Sequence, residues 1–281
     1  MKLLRYGPPG KEKPGLLDAS GRIRDLSGEI ADVDGSVLGA DSMARLAKLD
    51  PEGLPEVEAG VRLGPCVGKV GKLVCVGLNY SDHAEEAGLP VPEEPILFMK
   101  ATTAICGPDD DVEMPEGADE TDWEVELAIV IGTRAKLLKS EDEAMDHVAG
   151  YCIVNDVSER NYQARRSGQW VKGKSLDTFA PMGPWLVTRD EIPDPQALKL
   201  SLAVNGETRQ DGTTETMIFG VRHLVWYVSQ FMTLEPGDVI STGTPPGVGL
   251  GMKPPVYLKD GDVMRLTVEG LGVQEQKVRR I

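Results

Sequence analysis

The run DWEVELAIVIG, residues 122–132, places Glu124 and Glu126 one residue apart in an otherwise apolar segment. Its β-branched content and closing glycine predict a strand. Alternation puts Trp123, Val125 and Leu127 on one face and Glu124, Glu126, Ala128 and Val130 on the other. The second face is then apolar at one end and doubly anionic at the other. Residues i and i+2 of a strand have Cα atoms roughly 6.5–7 Å apart, so the two carboxylates can converge on one point. At ~4 Å and an effective dielectric of about 20, two bare carboxylates repel by about 4 kcal/mol. A buried pair therefore needs protons, cationic neighbours or a metal. A hard divalent cation, Mg²⁺ or else Mn²⁺ or Ca²⁺, suits such ligands. For an E-x-E alone, a solvent-facing polar edge is the competing reading.

A third acid bears on that choice. GYCIVNDVSER is another apolar strand pattern, and it ends in Asn155-Asp156. A lone Asp at a strand end is commonly a turn or cap residue. With the first pair, Asp156 would complete three carboxylates and leave positions for water and substrate. Three histidines are present. His147 lies in SEDEAMDHVAGY, whose charged amphipathic pattern predicts a short helix, and His223 in a packed helical segment, and both suit plain structural or surface positions. His83 follows the strand end GLNY, and Glu86 stands at i+3, a neighbour on a helix. A carboxylate beside an imidazole fixes its tautomer and raises its basicity, as activation of water requires. Lys174 sits in WVKGKSLDTFAPMGPW, a loop shaped by Gly and Pro, where a surface lysine is the alternative. The glycine-rich STGTPPGVGLG lacks the Lys-Ser/Thr ending of a phosphate-binding loop and reads as a tight loop lining a small-molecule site.

The elements that must position these residues are mostly short strands. KLVCVGLNY, EEPILFMKATTAICGP and GDVISTGTPPGVG are strand-rich, while Asn205-Gly206 is a two-residue hairpin signal. FGVRHLVWYVSQFM has helical apolar spacing. Residues 1–65 read as a small N-terminal domain with a Pro- and Gly-rich linker, and residues 66–281 as the catalytic domain. Many strands, few helices and no βαβ alternation predict an α+β fold of largely antiparallel, roll-like sheets. The chain has 281 residues and a formal net charge of −15, which argues against nucleic acid or an anionic membrane as partner. An anionic substrate would need a local cationic site. No signal peptide or membrane-length apolar run is present, so a cytoplasmic location is expected. Cys66, Cys75, Cys106 and Cys152 have no CxxC spacing and read as free thiols rather than a zinc site.

Seven motifs, GLNYSDHAEE, PILFMKATTAICGP, DWEVELAIVIG, GYCIVNDVSERNYQ, GKSLDTFAPMGP, VNGETRQDG and ISTGTPPGVG, occur in an order and spacing that resembles the fumarylacetoacetate hydrolase family. The likeness runs from about Leu73 to the C-terminus. The opening MKLLRYGPPGKEKPGLLD further resembles the bacterial group that hydrolyses 2,4-diketo-3-deoxy-L-rhamnonate or -fuconate. The resemblance implies a β-rich mixed β-roll or sandwich with a small N-terminal domain, usually dimeric. It implies Glu124, Glu126 and Asp156 as ligands of Mg²⁺, His83 and Glu86 as a water-activating dyad, and Lys174 as the catalytic lysine. Arg160 and Gln163 match substrate-contacting positions, and Thr244 matches the residue that contacts the substrate carboxylate. The eukaryotic hydrolase that typifies the family has a further acidic ligand shortly before its histidine. Here the nearest acid is Asp82, which is not assigned to the metal. The implied reaction is hydrolysis of the C3–C4 bond of a small anionic 2,4-dioxo acid to pyruvate and a carboxylic acid such as lactate. Oxaloacetate decarboxylation, hydration or isomerisation of a 2-oxo-alkenoate and fumarylpyruvate hydrolysis would use the same site. A non-catalytic protein whose ion ties strands together is the remote alternative.

Overall fold

The computed structural model describes residues 1–281, apart from the side chain of Ala87. The N-terminal segment supplies strands β1 (Lys2–Tyr6), β2 (Lys13–Leu17) and β3 (Ile23–Asp25) and the short helix α1 (Ala40–Leu46). Strand β4 (Leu73–Gly77), helix α2 (Ser81–Ala87), β5 (Ile96–Lys100), β6 (Ile105–Cys106) and β7 (Val112–Met114) follow. The centre of the chain holds β8 (Thr121–Asp122), β9 (Val125–Ile131), β10 (Val148–Asn155), β11 (Ser158–Glu159), helix α3 (Val171–Lys174) and β12 (Ala180–Thr188). The rest comprises β13 (Lys199–Val204), β14 (Glu207–Thr213), helix α4 (Val221–Phe231), β15 (Val239–Ser241), β16 (Val263–Val268) and β17 (Gly272–Arg280).

Two large sheets form. One runs in the order β3-β2-β1-β12-β10-β9-β15-β4-β5, with β6 added beside β12, and the other runs β14-β13-β16-β17-β7. Most pairs are antiparallel, while β15–β4, β12–β6 and β17–β7 are parallel. The sheets are mixed and do not close into a barrel. The central strands β9 and β10 are buried along their whole length, because both faces of the first sheet are covered. Val125, Leu127, Ile129 and Ile131 of β9 pack into one core with Leu202, Leu266 and Val278 of the second sheet and with α4. Helix α4 buries Val221, Leu224, Val225 and Val228 at the spacing of one helical face. The even residues Ala128 and Val130 pack into a second core under Leu3, Leu16, Leu26, Ile30 and Leu46 of the N-terminal segment.

That segment is also joined to the sheet itself: β1 pairs with β12, with Leu3 opposite Leu186. The hairpin turn at Asn205-Gly206 has φ of 52° and 80°, the left-handed pair that suits the twist of flanking strands. The four cysteines are buried free thiols. Among the described residues, no helix is long and apolar enough to cross a membrane.

Candidate active site

Strands β9 and β10 end together. Val154 lies opposite Glu126, Asn155 opposite Val125, and the Asp156 amide donates to the Glu124 carbonyl at 2.9 Å. This register brings Glu124, Glu126 and Asp156 to one end of the strand pair, with a carboxylate oxygen of each within 4.8 Å of the others. All three are buried. Glu126 on β9 and Glu124 just before it continue the face of Ala128 and Val130, so the anionic end lies where the N-terminal segment's core stops.

Cations compensate the triad from two sides. The Lys174 ammonium donates to Glu124 Oε2 at 2.7 Å and Asp156 Oδ2 at 2.8 Å. Arg160 Nη1 lies 2.7 Å from Glu124 Oε1 and its Nη2 lies 2.8 Å from Asp122 Oδ2. Burial alone would raise the Glu124 carboxyl, but Lys174 and Arg160 bring it down to about 2. Glu126 goes the other way. Burial and the charges of Asp156 and Glu124 push it well above the usual carboxylate range. Its Oε2 accepts from Ser241 Oγ at 2.5 Å and from the Gly243 amide at 3.0 Å. This donor set fits a hard divalent cation: it is all oxygen, buried and still short of positive charge at Glu126.

Two residues that sequence reasoning missed complete the electrostatics. Lys100, the last residue of β5, is buried and donates to Asp156 Oδ1 at 2.5 Å and to the Val157 carbonyl at 2.9 Å. Burial holds its ammonium pKa down against the pull of Asp156. Asp122 fixes Arg160 and accepts from the amides of Gly249 at 2.7 Å and Leu250 at 3.0 Å.

The dyad forms on α2. His83 Nδ1 lies 3.1 Å from Glu86 Oε2, and the Glu86 carboxylate accepts from the Gly247 amide at 3.1 Å. Asp82 turns back to accept from the His83 amide at 2.9 Å and stands outside the acidic triad. The loop after β15 therefore lends amides to Glu126, Glu86 and Asp122 in turn, from Gly243, Gly247, Gly249 and Leu250. Its glycines answer to close backbone approach. A Cβ on Gly247 would stand 1.9 Å from the Arg209 carbonyl oxygen.

Gln163 sits on a π-helical turn at Asn161–Arg165, where its Oε1 accepts from Arg160 at 3.1 Å and its amide nitrogen remains for a ligand. The Thr244 hydroxyl donates to the Val125 carbonyl at 2.9 Å and accepts from Gln210 at 2.8 Å. His83, Glu86, Glu124, Glu126, Arg160, Gln163, Lys174 and Thr244 all line one cavity of about 680 Å³. Asp156 lies behind it, and neither His147 nor His223 reaches it. His223 instead stacks on Phe219 and meets Glu141 at 2.9 Å.

A mixed-sheet scaffold with a buried carboxylate triad and a His–Glu pair over one cavity matches a known class. The C-terminal domain profile of fumarylacetoacetate (FAA) hydrolase covers residues 72–279. The chain belongs to the fumarylacetoacetate hydrolase family. A Burkholderia multivorans protein with only a provisional hydrolase name is 61% identical over 280 residues, 99% of each chain. Among solved structures, the fumarylacetoacetate hydrolase of Exiguobacterium antarcticum superposes with a TM-score of 0.87 at 38% identity, covering 100% of both chains. A 5-carboxymethyl-2-hydroxymuconate delta-isomerase of Mycobacterium smegmatis gives 0.77 at 35%, covering 100% of this chain and 99% of its own. The maleylpyruvate hydrolase of Sphingobium sp. SYK-6, solved with manganese(II) and pyruvate, gives 0.84 at 28%, with the same coverage.

Proposed function

We propose that the protein is a divalent-metal-dependent hydrolase that cleaves the C3–C4 bond of a 2,4-dioxo acid, releasing pyruvate and a carboxylic acid. The observation that carries this reading is the meeting, in one cavity, of the oxygen triad's edge, Lys174 and a His–Glu pair. The manganese and pyruvate of the maleylpyruvate hydrolase support it by analogy. Glu124, Glu126 and Asp156 would hold the cation, Mg²⁺ or Mn²⁺. When bound, the cation supplies Lewis-acid stabilisation to the pyruvoyl end of the substrate. His83, oriented by Glu86, takes a proton from water, and the resulting hydroxide adds to C4. An ammonium has three donors, and Lys174 spends two on Glu124 and Asp156. The third serves the oxyanion that develops at C4. The C3–C4 bond then breaks, its electron pair passes to the pyruvate enolate, and a proton at C3 completes pyruvate. Gln163 offers its amide to the carboxylate end. Arg160 acts chiefly by holding Glu124, since most of its donors already go to Asp122, Glu124 and Gln163.

Isomerisation of a 2-hydroxymuconate-type acid is the second reading, because an isomerase stands among the structural neighbours at 35% identity. It needs no attacking water, so the His83–Glu86 pair favours hydrolysis. Within the hydrolase reading, the likeness of the first residues points to 2,4-diketo-3-deoxy-L-rhamnonate or -fuconate, with lactate as the second product. That N-terminal segment does not line the cavity, so the acyl group is chosen by other residues.

The test is pyruvate release from a panel of 2,4-dioxo acids. Activity should vanish after exhaustive EDTA treatment and return with Mg²⁺ or Mn²⁺, and poorly with Zn²⁺. Full activity in protein shown to be free of metal would refute the reading.

A further inference from the structure

The cavity is chemically two-ended. Its charged groups gather at the carboxylate triad and the dyad. The remaining wall is apolar and comes from Leu89, Ile96, Phe98, Trp170, Leu250 and Met252, with smaller aliphatic neighbours. Apart from the dyad, Gln163, Thr244 and the indole N–H of Trp170 are the neutral side-chain hydrogen-bonding groups among its lining residues. Gln163 and Thr244 are partly committed within the protein, Gln163 Oε1 to Arg160 and the Thr244 hydroxyl to Val125 and Gln210.

The position of this wall follows from the chemistry. The group attached to C4 must lie beside the base that directs water onto C4. Glu86 of the dyad stands against Gly251, whose Cβ would meet the carboxylate carbon at 3.0 Å. The residues flanking that contact are Leu250 and Met252, and Leu89 follows Glu86 by one turn past the end of α2. Elsewhere on the wall Phe98 lies under Lys174, with the ammonium 5.1 Å from the ring centroid, and Trp170 packs edge-on to Phe98 at 5.3 Å. Leu89, Leu250 and Ile96 are 53%, 44% and 38% exposed. Apolar side chains left open around a reaction site mark a ligand surface.

We propose that the acyl end of the substrate is apolar: a 2,4-dioxo acid whose C4 carries an aliphatic or aromatic group, read by Leu89, Leu250, Met252, Ile96 and Trp170. This rests on the acylpyruvate-hydrolase reading above and replaces the hydroxylated tail that the N-terminal likeness implies. A polyol tail would lose its water here and find, with the Gln163 amide serving the carboxylate end, only the single indole N–H of Trp170 as a side-chain partner on this wall, which leaves hydroxyls buried and unpaired at a cost. A second carboxylate fits less well. The one further cation of the wall, Lys253, is exposed at the rim, where an ion pair in water contributes little. The non-pyruvate product is then an apolar carboxylic acid, and the reaction that supplies the substrate must deliver a 1,3-diketone with a carboxylate at one end and an apolar group at the other.

The experiment measures kcat/KM of the full chain with Mn²⁺ for acetylpyruvate, for unbranched acylpyruvates of growing length, for 2,4-diketo-3-deoxy-L-rhamnonate and for fumarylpyruvate. Each added methylene should raise kcat/KM about fourfold over the first few, the factor expected for burying one methylene. The sugar acid should fall at least about tenfold below the apolar acid of equal length. Leu250→Asn and Trp170→Ala, each checked for an unchanged melting temperature, should flatten the length dependence mainly through KM. A flat or falling series, or a faster reaction with the sugar acid or fumarylpyruvate, overturns the apolar assignment and leaves the hydrolase reading intact. No turnover of any dioxo acid, acetylpyruvate included, overturns both.

Discussion

Glu126 carries the conflict that defines this site, and its titration makes the conflict measurable. In the metal-free protein its carboxyl keeps a proton above the pH at which an unfolded glutamate loses one, because burial and the charges of Asp156 and Glu124 oppose ionisation. Between those two values the folded state binds more protons than the unfolded state, so stability falls as pH rises through the window. Glu124 has the opposite sign. Lys174 and Arg160 hold it near 2, so its contribution is full above the usual glutamate value of 4.5 and is lost as pH falls towards 2. Glu126→Gln should therefore raise the melting temperature of EDTA-treated protein at pH 7–8, by roughly 2 °C or more for a change of about 1 kcal/mol. The same variant should lose the stabilisation that Mn²⁺ gives the wild type. Differential scanning calorimetry with and without metal checks both arms, and a variant that melts lower in EDTA contradicts the assignment. His83→Ala should retain the Mn²⁺-induced stabilisation and slow hydrolysis about 10²–10⁴-fold, the usual size of a general-base effect. If oxaloacetate is a substrate, its decarboxylation should survive in that variant, since it needs no attacking water. Loss of metal binding with hydrolysis intact would reverse the roles. The closeness of Glu124 to Glu126 and of His83 to Glu86 was legible in the sequence because E-x-E and His-x-x-Glu are local patterns, whereas Asp156 comes from a second strand end and the roles of all five rest on the family resemblance. Lys100 was not. A lone lysine closing an apolar strand carries no periodic signal, and its partner Asp156 lies 56 residues away.

Elements here are placed by backbone contact as much as by side chains, and Gly173 shows it. Its Cβ would stand 2.3 Å from the Glu159 carbonyl oxygen and 2.4 Å from the Gln163 backbone nitrogen. Helix α3 thus lies directly on β11 and on the π-helical turn, and this contact delivers Lys174 to Glu124 and Asp156. Gly173→Ala should destabilise the fold by about 3 kcal/mol, at the upper end of the cost of overpacking, because backbone atoms cannot move aside as a side-chain tip can. A urea titration measures it, and a loss under 1 kcal/mol would show that α3 can shift freely. Strands β9 and β10, helix α4 and the Asn205-Gly206 hairpin were all readable from periodicity or turn chemistry. The segment SEDEAMDHVAGY was less so. It predicts a short amphipathic helix but forms a 3-10 helix over Glu141–His147 and then enters β10 at Val148. Burial of Val148 and the residues after it in the central sheet overrides the local pattern.

At the scale of the whole molecule, the N-terminal residues are distinct in sequence texture yet continuous with the catalytic sheet. Sequence pattern draws a boundary at residue 65 because the Pro- and Gly-rich stretch there looks like a linker. It cannot show that β1 returns to pair with β12, a contact between residues more than 180 apart. Nor can it show that Leu3, Leu16, Leu26, Ile30, Val33, Leu38 and Leu46 share one core with Ala128, Val130, Cys152 and Val154. Those last four residues lie on the sheet face that carries Glu124 and Glu126 at its end. Removing residues 1–65 would uncover that apolar face and open the edge of β12, a template for pairing with other chains. The chain truncated to 66–281 is therefore expected to aggregate, or to melt far below the full protein and lose Mn²⁺ binding, although every candidate metal ligand and catalytic residue remains in it. Size-exclusion chromatography and calorimetry of the truncated chain decide the matter. A monodisperse truncated protein with near wild-type stability would show that the N-terminal strands are an appendage to the site rather than the far wall of its scaffold.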